Sequence, residues 1–244
     1  MNAIESRYPK ELLACRSILL LADELYQRNE AKAVLDNARC ATMAAVGLYA
    51  KARKQADAIY LVALQGYGED ALILARSLVN LCIDLKYITA DSDQTEARAM
   101  RWTAKGRVER RKFAKRVGTT PPDEDKINWT IKEALAKEWP QLIEKRAKDA
   151  GLEKLYNLPY RHGSSFEHSD SWSATSFLDL KTGFVDMRTG PSDRFVDLAL
   201  LTLACAFAEI ACCLGRFYDF DFGGAEHEME KHITTAFPHE ETPL

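Results

Sequence analysis

The residues best equipped for chemistry in this chain lie in one short stretch, Tyr160–His168, with the sequence YRHGSSFEH. It holds an arginine, two histidines, two serines, a tyrosine and a glutamate. The pair Arg161 and His168 can bind a phosphate and move a proton, because a guanidinium holds phosphate oxygens and an imidazole titrates near neutral pH. If the stretch is helical, Tyr160, Ser164 and His168 follow one another at four-residue intervals and share one face.

A second set of polar residues lies on a predicted helix that is otherwise apolar, ALILARSLVNLCIDLKYI. Arg76, Asn80, Asp84 and Tyr87 are spaced four, four and three residues apart and therefore form one stripe. Isolated buried charges are costly, so Arg76 and Asp84 must find partners. Two interpretations stay open: an arginine–aspartate pair that bridges helices, or a stripe that lines a cleft.

The next predicted helix is strongly basic. It carries eight lysines or arginines between positions 101 and 116, against Glu109 as the single acid. On a helical wheel, four of these cations cluster: Arg101, Lys105, Lys112 and Arg116. Such a cluster suits RNA, because cations release counterions when they bind phosphates. The alternative is a solvated face with Trp102 and Phe113 buried in the core.

Composition places the chain among ordinary globular proteins. Of its 244 residues, 47% are hydrophobic and 28% charged, and the formal net charge is −3, so no global basic field favours nucleic acid. The six cysteines lie in apolar runs without a C-x-x-C pair, which predicts buried free thiols in a reducing cytosol. The N-terminal sequence lacks the pattern of a signal peptide, and we predict a cytoplasmic location.

We expect neither a metal nor a cofactor. His227 and His232 are five residues apart, which does not place them on one helical face. The chain has no G-x-G-x-x-G and no G-K-[ST], which disfavours the familiar flavin, nicotinamide and nucleoside triphosphate sites. The longest apolar run, 198–208, is short for a membrane span, and we predict a buried helix there, with membrane insertion as the alternative.

Helical periodicity predicts an all-α fold, a single-domain bundle of about six or seven helices over residues 1–222, followed by a loose polar tail, 223–244. The first three predicted helices span 10–28, 30–65 and 69–90. A turn at 91–93 precedes the fourth, which ends at 117, and the remaining two span 123–150, with a break at Pro140, and 193–218. A small hairpin or loop excursion is expected near 177–190, where apolar residues alternate weakly between glycines.

Residues Asp70–Leu178 resemble a bacterial all-helical family of unknown function. The resemblance is carried by RSLVNLCIDLKYI, by the basic helix with RWTAKGRVER and by the tyrosine–serine–histidine segment. The chain departs from that family's pattern at Asn80, where the position is usually acidic, and this departure argues against an acidic role there.

The Tyr160–His168 stretch also resembles, more loosely, the HEPN superfamily (higher eukaryotes and prokaryotes nucleotide-binding). These helical domains often carry an arginine, a polar residue and a histidine separated from the arginine by four to six residues, as do Arg161, His162 and His168. The resemblance implies metal-independent RNA cleavage, in which an imidazole takes the ribose 2′-hydroxyl proton and Arg161 stabilises developing charge. It also implies a homodimer, because such sites are commonly composite across a two-fold axis.

Two functions of different kinds follow. The first is a HEPN-like ribonuclease or defence-associated RNA-directed effector, with a cognate regulatory protein as a further expected partner. Its expected substrate contacts are Arg76, Asp84, Tyr87, Tyr160, Ser164, Arg101, Lys105 and Lys112. The alternative is a non-catalytic, dimeric helical binding or scaffold module, in which the polar faces of residues 76–84 and 160–168 meet inside the fold. A small-molecule pocket between helices is a third option.

Overall fold

The computed structural model describes residues 3–33, 39–120, 127–161, 163–164, 178–179, 186–187 and 190–238. These residues are helical almost throughout, which confirms the predicted all-α fold. The helices are α1 Ala3–Arg7, α2 Pro9–Arg28, α3 Cys40–Leu64, α4 Gly68–Thr89, α5 Thr95–Arg116, α6 Trp129–Glu138, α7 Ile143–Asp149, α8 Glu153–Leu155, α9 Val196–Phe217 and α10 Ala225–Ala236. A 3₁₀ turn, Glu30–Lys32, follows α2, and a π-helical turn, Tyr156–Tyr160, follows α8.

A minimal antiparallel ladder lies where the sequence predicts a small hairpin. Its strands are β1, Leu178–Asp179, and β2, Asp186–Met187. Leu178 pairs with Met187, and Asp179 pairs with Asp186. The ladder is therefore an excursion between α8 and α9 and leaves the helical architecture unchanged.

Helix α9 forms the centre of the bundle. It packs most extensively against α4 and also contacts α2, α3 and α10. Among the described residues, it is the one helix long and apolar enough to cross a membrane, but 83% of its most apolar window is buried inside the protein. Its many alanines and cysteines let neighbouring helices approach closely, as in the core helix of a globular bundle.

The segments that lead into α4 and α9 are joined side by side. Tyr67 and Ser192 form an isolated parallel bridge, in which the Ser192 amide donates to the Gly66 carbonyl at 2.5 Å. The Ser192 hydroxyl lies 3.1 and 3.2 Å from the two carboxylate oxygens of Glu69, which is 6% exposed. These contacts give the buried Glu69 carboxylate a hydrogen-bond partner, and they fix the positions of α4 and α9 relative to each other.

The start of α3 corrects the predicted helix 30–65. The structure instead has the 3₁₀ turn at Glu30–Lys32, and α3 begins at Cys40. The Glu96 carboxylate of α5 accepts hydrogen bonds from the amides of Cys40 at 2.8 Å and Ala41 at 3.0 Å. A carboxylate at this position satisfies free amides and suits the positive end of the helix dipole.

The C-terminal segment is not the loose polar tail that we expected, because it contains α10. One apolar stripe of α10 is buried: Ala225, Met229, Ile233 and Ala236. This stripe packs onto α2. The Asn29 side chain ties the end of α2 to the segment before α10, donating to the Asp221 carbonyl at 3.1 Å and accepting from the Asp221 amide at 2.9 Å. The domain boundary at residue 222 stays a prediction.

Candidate functional site

The described part of the Tyr160–His168 stretch lies against α4. Arg76 Nη2 donates to the Tyr160 hydroxyl at 3.0 Å, and the Arg76 guanidinium carbon lies 4.6 Å from the centre of the Tyr160 ring. Tyr160 is only 9% exposed. Two of the predicted substrate contacts therefore meet each other inside the fold, through a hydrogen bond and a cation–π contact.

Gly163 lets the chain stay close to α4 after Tyr160. A Cβ at this position would lie 2.7 Å from the Arg76 Cβ and 2.9 Å from the Leu72 carbonyl oxygen, so a side chain has no room. Ser164 is partly exposed. The candidate catalytic residues His162 and His168 lie outside the described residues.

Arg161, the third candidate catalytic residue, lies at the surface. Its side chain is 57% exposed, and Nη2 is 3.7 Å from Oε1 of Glu144 in α7. Its guanidinium carbon lies 5.3 Å from the Tyr156 ring centre. Because Arg161 is exposed, a phosphate can reach it. Because its pairing with Glu144 is loose, its guanidinium keeps most of its attraction for anions.

Asp84 forms an interhelical ion pair with Arg146 of α7, not with Arg76. Arg146 Nε donates to Asp84 Oδ1 at 2.8 Å, and the two side chains are 8% and 18% exposed. Trp102 Nε1 donates to Asp84 Oδ2 at 3.3 Å, and Arg146 Nη1 donates to the Pro140 carbonyl at 2.6 Å. Burial raises the pKa of the Asp84 carboxyl above its ordinary value, an effect that Arg146 opposes.

Tyr87 serves packing in this arrangement. Its ring meets Trp139 edge to face, with centres 5.3 Å apart and planes at 85°. The Arg98 guanidinium lies 4.6 Å from the Tyr87 ring centre and donates to the Tyr87 carbonyl at 2.7 Å. With 9% of its surface exposed, Tyr87 is poorly placed to contact a substrate.

Most of the α5 cations predicted to contact a substrate instead form hydrogen bonds or ion pairs with other side chains of the protein. The three predicted substrate contacts bond as follows: Arg101 with Glu138 at 2.8 Å, Lys105 with Gln141, and Lys112 with Glu109 at 2.9 Å. Two of these partners are brought by α6 and the residues after it. The charges of Arg101 and Lys112 are thus balanced within the protein.

Four other α5 cations are exposed and form no ion pair with any residue that the structure describes: Arg107, Arg110, Lys115 and Arg116. Of these four, only Arg116 belongs to the cluster that the helical wheel predicts. Arg107 and Arg110 are three residues apart and are therefore neighbours on the helix surface. Phe113 is 65% exposed, which corrects the alternative that it is buried in the core, whereas Trp102 is partly buried.

Two clefts adjoin Trp102. The first, of about 460 Å³, opens between α5 and the Trp139–Arg146 segment and is bordered by Arg107 and Arg110. The second, of about 480 Å³, lies among α3, α4 and α5 and is lined by Asn80 and other residues. Asp84 borders both clefts, so the alternative of a polar stripe lining a cleft holds for Asn80 and Asp84.

The side chains around the first cleft are mainly aromatic and cationic. No group of three or more histidine, cysteine or acidic side chains arranged to hold a metal occurs among the described residues. His227 and His232 both belong to α10, far along the chain from the clefts. The first cleft instead combines the partly exposed indole of Trp102 with arginines, which suit a base and its phosphate.

Replacing Tyr160 with Phe is expected to lower the free energy of unfolding by about 1 kcal/mol. The variant keeps the ring against which Arg76 lies and removes only the hydroxyl that accepts its hydrogen bond. Urea denaturation followed by circular dichroism measures the change. Tyr156→Phe, in the same turn, is the matched control, and equal losses in the two variants would contradict a specific Arg76–Tyr160 bond.

A protein-family model described as a family of unknown function, DUF5677, matches residues 42–185. The matched range is more than half of the chain and contains α4 to α8, with the Asp84–Arg146 pair, the clefts and Tyr160. Comparisons with curated proteins and with solved structures find no match.

Proposed function

This chain belongs to the DUF5677 family, whose description assigns no activity, and from its own residues we propose that it binds RNA and cleaves it without a metal ion. The observation that supports the proposal best is the set of exposed α5 cations without ion pairs among the described residues, two of which border a cleft. The proposal has a binding part, on α5, and a catalytic part, on Arg161 and the histidines after it.

The binding part depends on local charge. The formal net charge of −3 gives no long-range attraction for RNA, so affinity must come from a patch. Arg107 and Arg110 can supply it, because a cation that is not neutralised by the protein is able to displace the counterions of a phosphate. Arg101 and Lys112, which have carboxylate partners, contribute less.

The catalytic part depends on Arg161. Its exposed guanidinium approaches Glu144 of α7, and α7 also supplies Arg146 to the first cleft, so the binding and catalytic parts adjoin one short helix. In the proposed reaction, His168 removes the 2′-hydroxyl proton, the 2′-oxygen bonds to phosphorus and the bond to the 5′-oxygen breaks. The leaving oxygen takes up a proton from a second acid, which a HEPN-like dimer would supply, and the product is a 2′,3′-cyclic phosphate.

The double variant Arg107→Gln/Arg110→Gln is expected to bind single-stranded RNA about 10- to 100-fold more weakly at low salt, and to lower the salt-dependence slope by about 1.4. Fluorescence anisotropy at several salt concentrations measures both quantities. Arg101→Gln/Lys112→Gln removes the same charge from the same helix and is expected to change the affinity by less than about threefold, because these cations are already paired. Equal losses in the two double variants would contradict the proposed surface.

Cleavage is tested with a labelled RNA in the presence of a chelator. The wild-type protein is expected to release a cyclic phosphate, while Arg161→Ala and His168→Ala abolish cleavage with little change in melting temperature. A His168→Ala variant that cleaves normally would exclude His168 from the chemistry. A wild-type protein that binds RNA without cutting it would remove the catalytic part and leave the binding part.

The contact between Arg76 and Tyr160 favours a second candidate function, a non-catalytic dimeric scaffold module. That alternative predicts that the two polar faces meet inside the fold, and these two residues do. It requires a dimer in solution, no cleavage, and no dependence of RNA affinity on Arg107 or Arg110. Analytical ultracentrifugation together with the cleavage assay separates the two functions.

A further inference from the structure

We propose that Trp102 is a stacking platform for an unpaired nucleobase, with the neighbouring phosphates held by Arg107 and Arg110. The inference rests on the proposed RNA binding and specifies the form of RNA: single-stranded. It is carried by the position of Trp102, which is partly exposed and borders both the first and the second cleft. A base entering either cleft would therefore meet the indole.

The Trp102 ring is held in place by a chain of hydrogen bonds. Its Nε1–H donates to Asp84 Oδ2 at 3.3 Å, and the other Asp84 oxygen accepts from Arg146 Nε at 2.8 Å. Arg146 is fixed in turn by the Pro140 carbonyl at 2.6 Å. A ring oriented in advance loses little conformational entropy when a base stacks on it, which favours a binding role.

The charges around the first cleft match a nucleotide. Arg107, Arg110 and Lys105 border it, and its one exposed acid, Glu109, is paired with Lys112. An inorganic anion would not need the indole, and an apolar ligand would not need the arginines. Aromatic rings beside cations are the usual means of binding single strands, whereas in a duplex the base faces are covered.

The affinities of a short single-stranded RNA and of its duplex are to be compared by fluorescence anisotropy. The wild-type protein is expected to prefer the single strand at least tenfold. Trp102→Leu is expected to weaken single-strand binding about 5- to 100-fold and to leave duplex binding unchanged, while Trp102→Phe, which keeps an aromatic face but not the hydrogen bond to Asp84, loses less affinity. Trp129→Leu, which alters a tryptophan outside both clefts, is the matched control and is expected to have no effect.

Gly106→Leu provides a second test that does not remove the Asp84 hydrogen bond. Gly106 borders the first cleft, and a Cβ there would meet no atom within 4 Å, so a longer side chain begins in open space beside the cleft. We expect this variant to melt at or above the wild-type temperature and to lose the preference for single strands. Gly47→Leu, in the second cleft, is expected to keep that preference, because Arg107 and Arg110 border the first cleft.

The outcomes separate this inference from the proposed function. If the wild-type protein binds neither RNA, both are overturned. If single strand and duplex bind equally, and folded Trp102→Leu and Gly106→Leu change neither affinity while Arg107→Gln/Arg110→Gln weakens both, RNA binding stands and the stacking platform is overturned. A folded Trp102→Phe that binds no better than Trp102→Leu also overturns it.

Discussion

Replacing Arg146 with Met is expected to lower the free energy of unfolding by about 3–5 kcal/mol near pH 8. Methionine retains an apolar stem of similar length but removes the guanidinium that lies 2.8 Å from Asp84. The Asp84 carboxylate, 18% exposed, then loses its charged partner. Urea denaturation, with the slope checked for constancy, measures the loss.

The same loss is expected to be smaller near pH 4. Burial raises the pKa of Asp84 on folding, while the nearby Arg146 lowers it. Removing Arg146 therefore raises the folded-state pKa further. An acid with a raised folded-state pKa contributes a stability that is lost as the pH rises from its unfolded pKa, about 3.9, through its folded pKa. At low pH the carboxyl of the variant is protonated, so the missing guanidinium costs less.

Two further variants identify the cause. In the double variant Asp84→Asn/Arg146→Met, part of the stability is expected to return, because no unpaired charge stays buried. Arg53→Met removes a guanidinium, 25% exposed, that is shared by two more exposed carboxylates, Asp23 at 35% and Asp57 at 53%, and is expected to cost about 1 kcal/mol. A loss in Arg146→Met no larger than in Arg53→Met, or independent of pH, would contradict the role assigned to the buried pair.

Gly68→Ala is expected to lower the melting temperature by about 6–12 °C, which corresponds to about 3 kcal/mol. A Cβ on Gly68 would overlap the Arg194 carbonyl oxygen and lie 2.7 Å from the Val196 amide nitrogen. Both neighbours are backbone atoms, so the strain can be relieved only by separating α4 from α9. Thermal unfolding monitored by circular dichroism measures the shift.

Gly47→Ala is the matched control for this steric effect. Gly47 lies within α3, and an added Cβ would meet no atom within 4 Å. Alanine is the better helix former, so this variant is expected to be more stable by about 0.5–1 kcal/mol. If Gly68→Ala melts like the wild-type protein, the residues at the start of α9 do not approach Gly68 closely enough to exclude a side chain.

Local patterns in the sequence are enough to predict the long helices. The predicted spans 69–90 and 193–218 lie close to α4 and α9, because their apolar periodicity and flanking breakers are local signals. The start of α3 is different, since the carboxylate that caps it, Glu96, comes from a distant part of the chain. For α10, the apolar stripe containing Met229 and Ile233 is present in the sequence, but charged neighbours dilute it.

The candidate site shows the same division between local and distant information. Burial of an apolar helix is enough to predict that Arg76 and Asp84 need partners, but it does not identify Tyr160 and Arg146 as those partners. The helical wheel groups four of the eight α5 cations on one face but does not show which of them have protein partners. Their division into neutralised and available charges depends on side chains such as Glu138 that α6 brings beside them. Arg107 and Arg110 lie on a different face from the predicted cluster and therefore do not stand out in the sequence.

The packing of α2 has a consequence for biosynthesis. The Cys15 thiol donates to the Leu200 carbonyl across 185 positions of the chain, and Asn29 reaches Asp221 across 192. Helix α2 therefore leaves the ribosome about 10–40 s before its partners do, at ordinary rates of translation. During that interval α3 is available to α2, but the part of its apolar face that α9 and α10 cover has no native partner, so the core is completed by contacts of large sequence separation.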